Sequence, residues 1–368
     1  MLRPYHPFKG ERIYKQLRKI AFMLDAEFSH RMGMHFLSQL SRHPSLLRAA
    51  VKRTMVDDTR LSQEILGLQF TNPIGLAAGF DKNAEVLHAW SGLGFGFVEV
   101  GSVTPRPQPG NPKPRLFRIP EERAVQNAMG FNNEGMDAMQ NRIQVARPLP
   151  YSLGVNLGKN KDTPMDKALD DYFTLIPVLD EVADYFVLNL SSPNTPGLRE
   201  LENPDSIRTL FSRATSETDT PVFLKVSPDS EPAYTVDLCA TAIESGAAGI
   251  IATNTSVDYS LTPRAKDFGG LSGAIIKEKS FAIFDAIAAE LFGKAILISV
   301  GGIDSGQEAF RRIRAGASLV QIYTSLIYEG PMWIKRINEE LLSCLSEESL
   351  SCIGDAVGLD RKNTKGDK

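Results

Sequence analysis

Apolar residues recur along this chain in two alternating rhythms. Short β-branched or apolar runs are each followed by a loop, then by apolar positions spaced three and four apart, the pattern of a helix with one buried face. Eight runs read as strands, at 73–79 (PIGLAAG), 95–104 (FGFVEVGSVT), 151–158 (YSLGVNLG), 185–192 (YFVLNLSS), 222–227 (VFLKVS), 249–255 (GIIATNT), 295–302 (AILISVGG) and 319–325 (LVQIYTS). Helical patterns lie at 83–94, 133–146, 166–182, 204–217, 232–245, 276–291, 306–315 and 331–344. Eight strands alternating with eight helices predict an α/β protein built as a closed (β/α)8 TIM barrel, not an open doubly wound sheet. Nearly all the strand runs end in Gly, Ser, Thr, Asn or Lys, so polar groups collect at the rim where such barrels bind ligands. The segment 105–131, rich in Pro and Arg, is too long for an ordinary βα loop and is expected to cover that rim.

Ahead of the first strand run the helical rhythm appears alone. Ile13, Leu17, Ile20 and Leu24 share one stripe, with Arg12, Lys15, Arg18 and Lys19 on other faces. A second helix is predicted from Asp25, whose side chain can cap it, with Phe28, Met32, Phe36, Leu37 and Leu40 along one stripe. Two readings stay open on pattern alone. Either both stripes pack on the barrel, or they form an apolar mouth resting on anionic lipid with Lys and Arg at the headgroups. The expected organisation is a helical arm over 1–60, a barrel over 61–360 and a polar tail over 361–368 that can fray.

Charge sharpens this division. Residues 1–60 hold twelve Lys and Arg against five Asp and Glu, a balance of +7 in a chain of net charge −3, so the remainder carries −10. The arm is basic and the body acidic. Composition otherwise is that of a globular protein, at 42% hydrophobic and 23% charged residues. Three cysteines without CxxC spacing suggest neither a disulfide framework nor a metal site, and a reducing compartment fits them. No run approaches the roughly 18–20 apolar residues of a membrane span, so any membrane contact is expected to be peripheral. No G-x-G-x-x-G opens a helix and no P-loop is present, so neither NAD nor ATP is expected. The acidic body argues against nucleic acid as a partner. His6, His30, His35, His43 and His88 fall outside the rim motifs and read as core or surface residues.

The most specific segment is NLSSPNTPG at 189–197. Two prolines and a glycine fix its backbone, so the side chains of Ser192, Asn194 and Thr195 are presented in a set arrangement. With AAGFDK at 77–82 and ATNT at 252–255, this string resembles the dihydroorotate dehydrogenases, and the similarity runs from about residue 5 to 357. Each motif falls at the C-terminal end of a predicted strand.

That resemblance implies an FMN-dependent oxidation of dihydroorotate to orotate, in which a base takes the C5 proton and hydride leaves C6 for the flavin. It implies that Ser192 is the base, cysteine holding that position in the soluble class and serine in the membrane-associated, quinone-reducing class. A free serine hydroxyl is a weak base, so Thr195 with a bound water, under a lid from Phe131, is expected to relay the proton. The flat, anionic substrate calls for side-chain amides and one cation. By resemblance these are Lys82, Asn127, Ala128, Met129, Gly130 and Phe131 of one segment pair, then Asn189, Asn194, Asn254 and Thr255. The implied FMN contacts are Ala78, Gly79, Phe80, Asp81, Lys82, Ser102, Asn156, Asn189, Lys225 (beside flavin N1) and Thr253. The phosphate is expected on Gly273, Gly301, Gly302, Tyr323 and Thr324, where glycine allows close backbone approach. A quinone at the cytoplasmic face of the inner membrane is the expected final acceptor, and a monomer the expected state. Two alternatives remain: a soluble member using fumarate or NAD, and a non-catalytic barrel binding a phosphorylated ligand.

Overall fold

A computed structural model describes residues 9–365; positions 1–8 of the expected arm and 366–368 of the expected tail lie outside the described residues. In chain order the strands are β1 (Gln63–Ile65), β2 (Leu68–Phe70), β3 (Ile74–Leu76), β4 (Phe97–Val103), β5 (Leu116–Ile119), β6 (Ala124–Asn127), β7 (Ser152–Leu157), β8 (Tyr185–Asn189), β9 (Val222–Val226), β10 (Gly249–Ala252), β11 (Gly270–Gly273), β12 (Ile296–Val300) and β13 (Leu319–Ile322). Eight of them close a parallel barrel in the order β3-β4-β7-β8-β9-β10-β12-β13, with β13 returning to β3. These are the eight runs read from the sequence, trimmed where the rim loops begin.

The alternation of strand side chains explains both the core and the site. On β4, Phe97, Glu99 and Gly101 point to the same side; on β9 Phe223 and Lys225 do so; on β13 Leu319 and Gln321. The lower interior is therefore apolar, an inner cluster of Phe97, Tyr185, Phe223, Ile251, Ile298 and Leu319. Glycines make room for its rings: a Cβ on Gly75 would stand 2.2 Å from Phe97 Cζ. One step nearer the rim the interior turns polar. The helices pack outside on the larger core, through side chains such as Leu175, Ile176, Leu210, Phe211 and Ile337.

Several predicted elements change on folding. The helix expected at 83–94 shrinks to Leu87–Ser91, because the buried Asp81 carboxylate accepts hydrogen bonds from Glu85 N (2.8 Å), Val86 N (3.1 Å) and Trp90 Nε1 (3.2 Å), fixing a loop there. The cover over the rim is a sheet: β5 and β11 flank β6, all antiparallel, so 105–131 holds strands that periodicity alone did not show. Within the described part of the tail, residues Leu359–Lys365 form a helix, and Arg361 Nε donates to Ala315 O at 2.7 Å.

Among the described residues the arm has three helices instead of two: α1 (Lys9–Met23), α2 (Ala26–Arg42) and α3 (Pro44–Thr54). Asp25 caps α2 as expected, accepting from Phe28 N at 2.8 Å. The missed break is at His43, after which Pro44 occupies the first turn of α3, where its missing N–H costs nothing. The stripe on α1 does not pack on the barrel: Ile13, Leu17 and Ile20 are 53%, 56% and 61% exposed. What holds α1 down is the face of Tyr14, Arg18 and Phe22: Tyr14 donates to Ile327 O (2.7 Å), Arg18 donates to Tyr328 O, and the Phe22 ring packs edge-on to Tyr328. On α2 the predicted stripe splits. Phe28, Met32 and Phe36 face outward, while Leu37 and Leu40 pack against the core. Among the described residues no helix is long and apolar enough to cross a membrane.

Candidate active site

A cleft at the barrel rim, roofed by β5, β6 and β11, contains about 1230 Å³ of atom-free space including its opening to solvent. Its wall includes Ala78, Gly79, Lys82, Ser102, Asn127, Met129, Gly130, Phe131, Asn189, Ser192, Asn194, Lys225, Thr253, Asn254 and Thr255. Gly273, Gly301, Gly302, Tyr323 and Thr324 complete it. Residues from seven strand ends and the roof thus meet at one place.

The other sequence-derived candidates stand behind this wall. Asp81 spends its carboxylate on the loop described above, and Phe80 packs its ring edge-on to Trp90 and His30. Ala128 joins the roof through backbone bonds to Arg115 O and from Asn111 Nδ2. Asn156 is buried and bonds sideways. Thr195 is buried as well, and its Oγ1 has no hydrogen-bond partner among the described residues.

The charge at the centre of the cleft comes from below. Glu99, fully buried in the barrel interior, accepts from Asn156 Nδ2 (2.7 Å), Lys225 Nζ (3.2 Å) and Gln321 Nε2 (2.5 Å). A buried carboxylate is tolerable only when so fully paired. Its effect is to hold the Lys225 ammonium at the cleft floor. Sequence reading missed Glu99 and Gln321, although both fall on the inward face of strands where an apolar residue is the rule; that departure was the available signal.

An amide network surrounds Ser192. Asn189 Nδ2 donates to Ser102 Oγ (3.1 Å) and Asn156 Oδ1 (3.2 Å), and Asn189 Oδ1 accepts from Asn254 Nδ2 (3.2 Å) and Ser191 Oγ (3.2 Å). Ser102 Oγ also donates to Asn156 Oδ1. Asn194 Nδ2 donates to Asn127 Oδ1 at 3.1 Å, joining the strand-end loop to the roof. Ser192 itself is 6% exposed, with Oγ accepting from Asn194 N at 3.3 Å. Lys82 donates to Gly79 O at 2.5 Å, and burial, reinforced by the nearby Arg115 charge, pushes its amine down to about 8. His30 of α2 is likewise pushed down to about 4, first by burial and then by Lys82, so it is neutral near pH 7.

At the far end of the cleft the backbone itself is the binding surface. Gly273 has φ +99°, and a Cβ there would stand 2.4 Å from Arg123 O and 2.8 Å from Thr324 Cγ2, so any side chain would fill the cradle. Ser325 Oγ, on the cleft, has no hydrogen-bond partner among the described residues. Open backbone, an unpartnered hydroxyl and a fixed ammonium suit a flat, phosphorylated cofactor such as FMN.

Comparison with known proteins identifies the family. A sequence model of the family described as dihydroorotate dehydrogenase matches residues 60–345. A protein named dihydroorotate dehydrogenase (quinone) from a Nitratiruptor species is 54% identical over 347 residues, covering 94% of this chain and 99% of the relative. One of the same name from a Sulfurovum species is 52% identical, covering 95% and 99%. Among solved structures, dihydroorotate dehydrogenase from Eimeria tenella in complex with ferulenol aligns with TM-score 0.81 at 39% identity, covering 92% of this chain and 96% of that one. With the family model spanning most of the barrel and relatives matched nearly end to end, the chain belongs to the dihydroorotate dehydrogenase family.

Proposed function

We propose that this protein oxidises dihydroorotate to orotate in pyrimidine biosynthesis, with FMN as its bound flavin and a membrane quinone as the final electron acceptor. The observation that carries the reading is the convergence on one cleft of Ser192, Lys82 and four asparagines at one end, the Lys225 ammonium at its floor and the glycine cradle at the other end. The bound flavin supplies the chemistry that no side chain can, accepting hydride and passing electrons on.

The chain's own residues do the rest. Lys82 pairs with the substrate carboxylate, while Asn127, Asn189, Asn194 and Asn254 match the ring's amide edge, each amide held in place by its neighbour. Ser192 Oγ takes the C5 proton, and the unpartnered Thr195 Oγ1 is the group poised to pass it on through a water. Phe131, packed against Gly158, keeps bulk solvent out. Lys225, held by Glu99 at the cleft floor, would face the flavin, and Gly273, Gly301, Gly302 and Thr324 would hold the phosphate.

The inside-out arm supports quinone over a soluble acceptor. A helix held to the protein by Tyr14, Arg18 and Phe22, with its apolar stripe facing away and Arg12, Lys15 and Lys19 exposed beside that stripe, suits the headgroup region of a lipid surface. We place the protein peripherally at the cytoplasmic face of the inner membrane, its arm against the lipid. The test is anaerobic mixing with dihydroorotate, then separate additions of ubiquinone, fumarate and NAD. Bleaching of a yellow protein and reoxidation by ubiquinone alone are expected. Reoxidation by fumarate or NAD would favour the soluble class, and a colourless protein would end the enzyme reading.

A further inference from the structure

Glu27 lies in the arm, yet its carboxylate is buried against the roof of the cleft. It accepts from Arg115 Nη2 at 2.9 Å and Nε at 3.2 Å, a two-pronged pair across 88 residues, and Lys113 adds a contact at 3.1 Å. Burial alone would raise this carboxyl, but the hydrogen bonds from Arg115 and Lys113 outweigh it and hold it below the usual carboxylate range. Arg115 spends its remaining nitrogen inward, Nη1 donating to Pro109 O (2.6 Å) and Asn111 O (2.8 Å).

Asn111 then ties together the loops that carry the substrate groups. Its Nδ2 donates to Ala128 O and Asn194 O, each at 3.1 Å, and its backbone N to Met129 O at 3.0 Å. The packing is tight: a Cβ on Gly130 would stand 2.7 Å from Asn111 Nδ2. One side chain thus spans the 128–130 roof segment and the 189–197 strand-end loop, beside the Asn194 to Asn127 bond.

We propose that Glu27, Arg115 and Asn111 form a latch through which docking of the arm helix α2 sets the spacing of the two substrate loops, making Asn111 and Glu27 positioning residues for dihydroorotate oxidation. The proposal rests on the function proposed above. It separates the arm into two roles: its outer face meets the acceptor's environment, and its inner face holds the donor site in register. No residue of the latch touches the reacting atoms. Its physical basis is that a charge-assisted, two-pronged pair is stiff, while the amide it steers closes a gap between otherwise separate loops.

The decisive experiment measures anaerobic flavin reduction, with no quinone present, in Glu27→Gln, Asn111→Ala and the double variant. Reduction by dithionite serves as the readout that a merely loosened fold would also alter. Each single variant is expected to weaken dihydroorotate binding or slow its bleaching by roughly tenfold while dithionite reduction stays normal, and the double to be no worse than the more severe single, as for residues on one path. If Asn111→Ala sheds flavin, Asn111→Asp keeps the volume while removing both amide donations, and Glu27→Gln reports independently. Wild-type bleaching by dihydroorotate in Glu27→Gln, or losses that add fully in the double, would overturn the latch. Absence of bleaching in the wild-type protein would instead overturn the function on which it rests.

Discussion

Around Asn189 at the barrel rim, the side-chain amide makes four hydrogen bonds and is itself buried; on α1, some of the largest apolar side chains of the arm are more than half exposed. The two regions invert the usual order of a soluble protein, one carrying polar groups inward and the other apolar groups outward. Each inversion costs stability unless something compensates. At the rim the compensation is mutual hydrogen bonding among fixed amides, which also makes a rigid template for a small polar ring. On the arm no described residue covers the stripe, the feature on which the proposed contact with a lipid surface rests. The contrast matches a reaction that joins a water-soluble reductant to a lipid-soluble oxidant.

The largest expected way to break that contrast is at the rim. Ser192→Ala should slow anaerobic bleaching by dihydroorotate by about 10²- to 10⁴-fold, the range for loss of a general base, with flavin content retained. Bleaching at the wild-type rate would remove Ser192 from the chemistry. On the arm, replacing Ile13, Leu17 and Ile20 together by Ser should weaken binding to anionic vesicles by roughly tenfold per side chain, about 1.4 kcal/mol each for partial burial. Quinone turnover in those vesicles should fall with it. Undiminished binding in a sedimentation assay would mean that the exposed stripe has another use.

The smallest effect sharpens the rim's electrostatics. Lys82 is depressed to about 8, by burial first and the Arg115 charge second, so it is a cation below that pH and neutral above. Orotate affinity of the oxidised enzyme should therefore be level below pH 8 and fall as pH rises through it, by at most about tenfold per unit. Titration of orotate binding against pH checks this, and an affinity rising above pH 8 would reverse the sign and exclude Lys82 as the carboxylate's partner.

Much of this was legible in advance because it is local. Each barrel strand sits within the run that predicted it, since a short apolar or β-branched run with a polar terminus is a property of six to ten neighbouring residues. The rim motifs were legible for the same reason: a residue at a strand's C-terminal end is at the mouth of any parallel barrel. Glu99 was passed over because a carboxylate inside a barrel makes sense only beside Lys225 and Gln321, which lie 126 and 222 positions away. The sheet of β5, β6 and β11 escaped notice because its third strand comes from the far side of the chain.

The amphipathic stripe of α1 marks the boundary between the two kinds of knowledge. By itself the sequence determined that the helix has an apolar side, that the arm is basic, that eight strands and eight helices alternate, and which side chains end those strands. Only the tertiary structure decided which side of α1 faces the barrel, that Glu27 reaches Arg115, and that Asn111 bridges two loops. Periodicity records the relation of a residue to its neighbours along the chain, whereas direction and partnership depend on surfaces brought together from far apart.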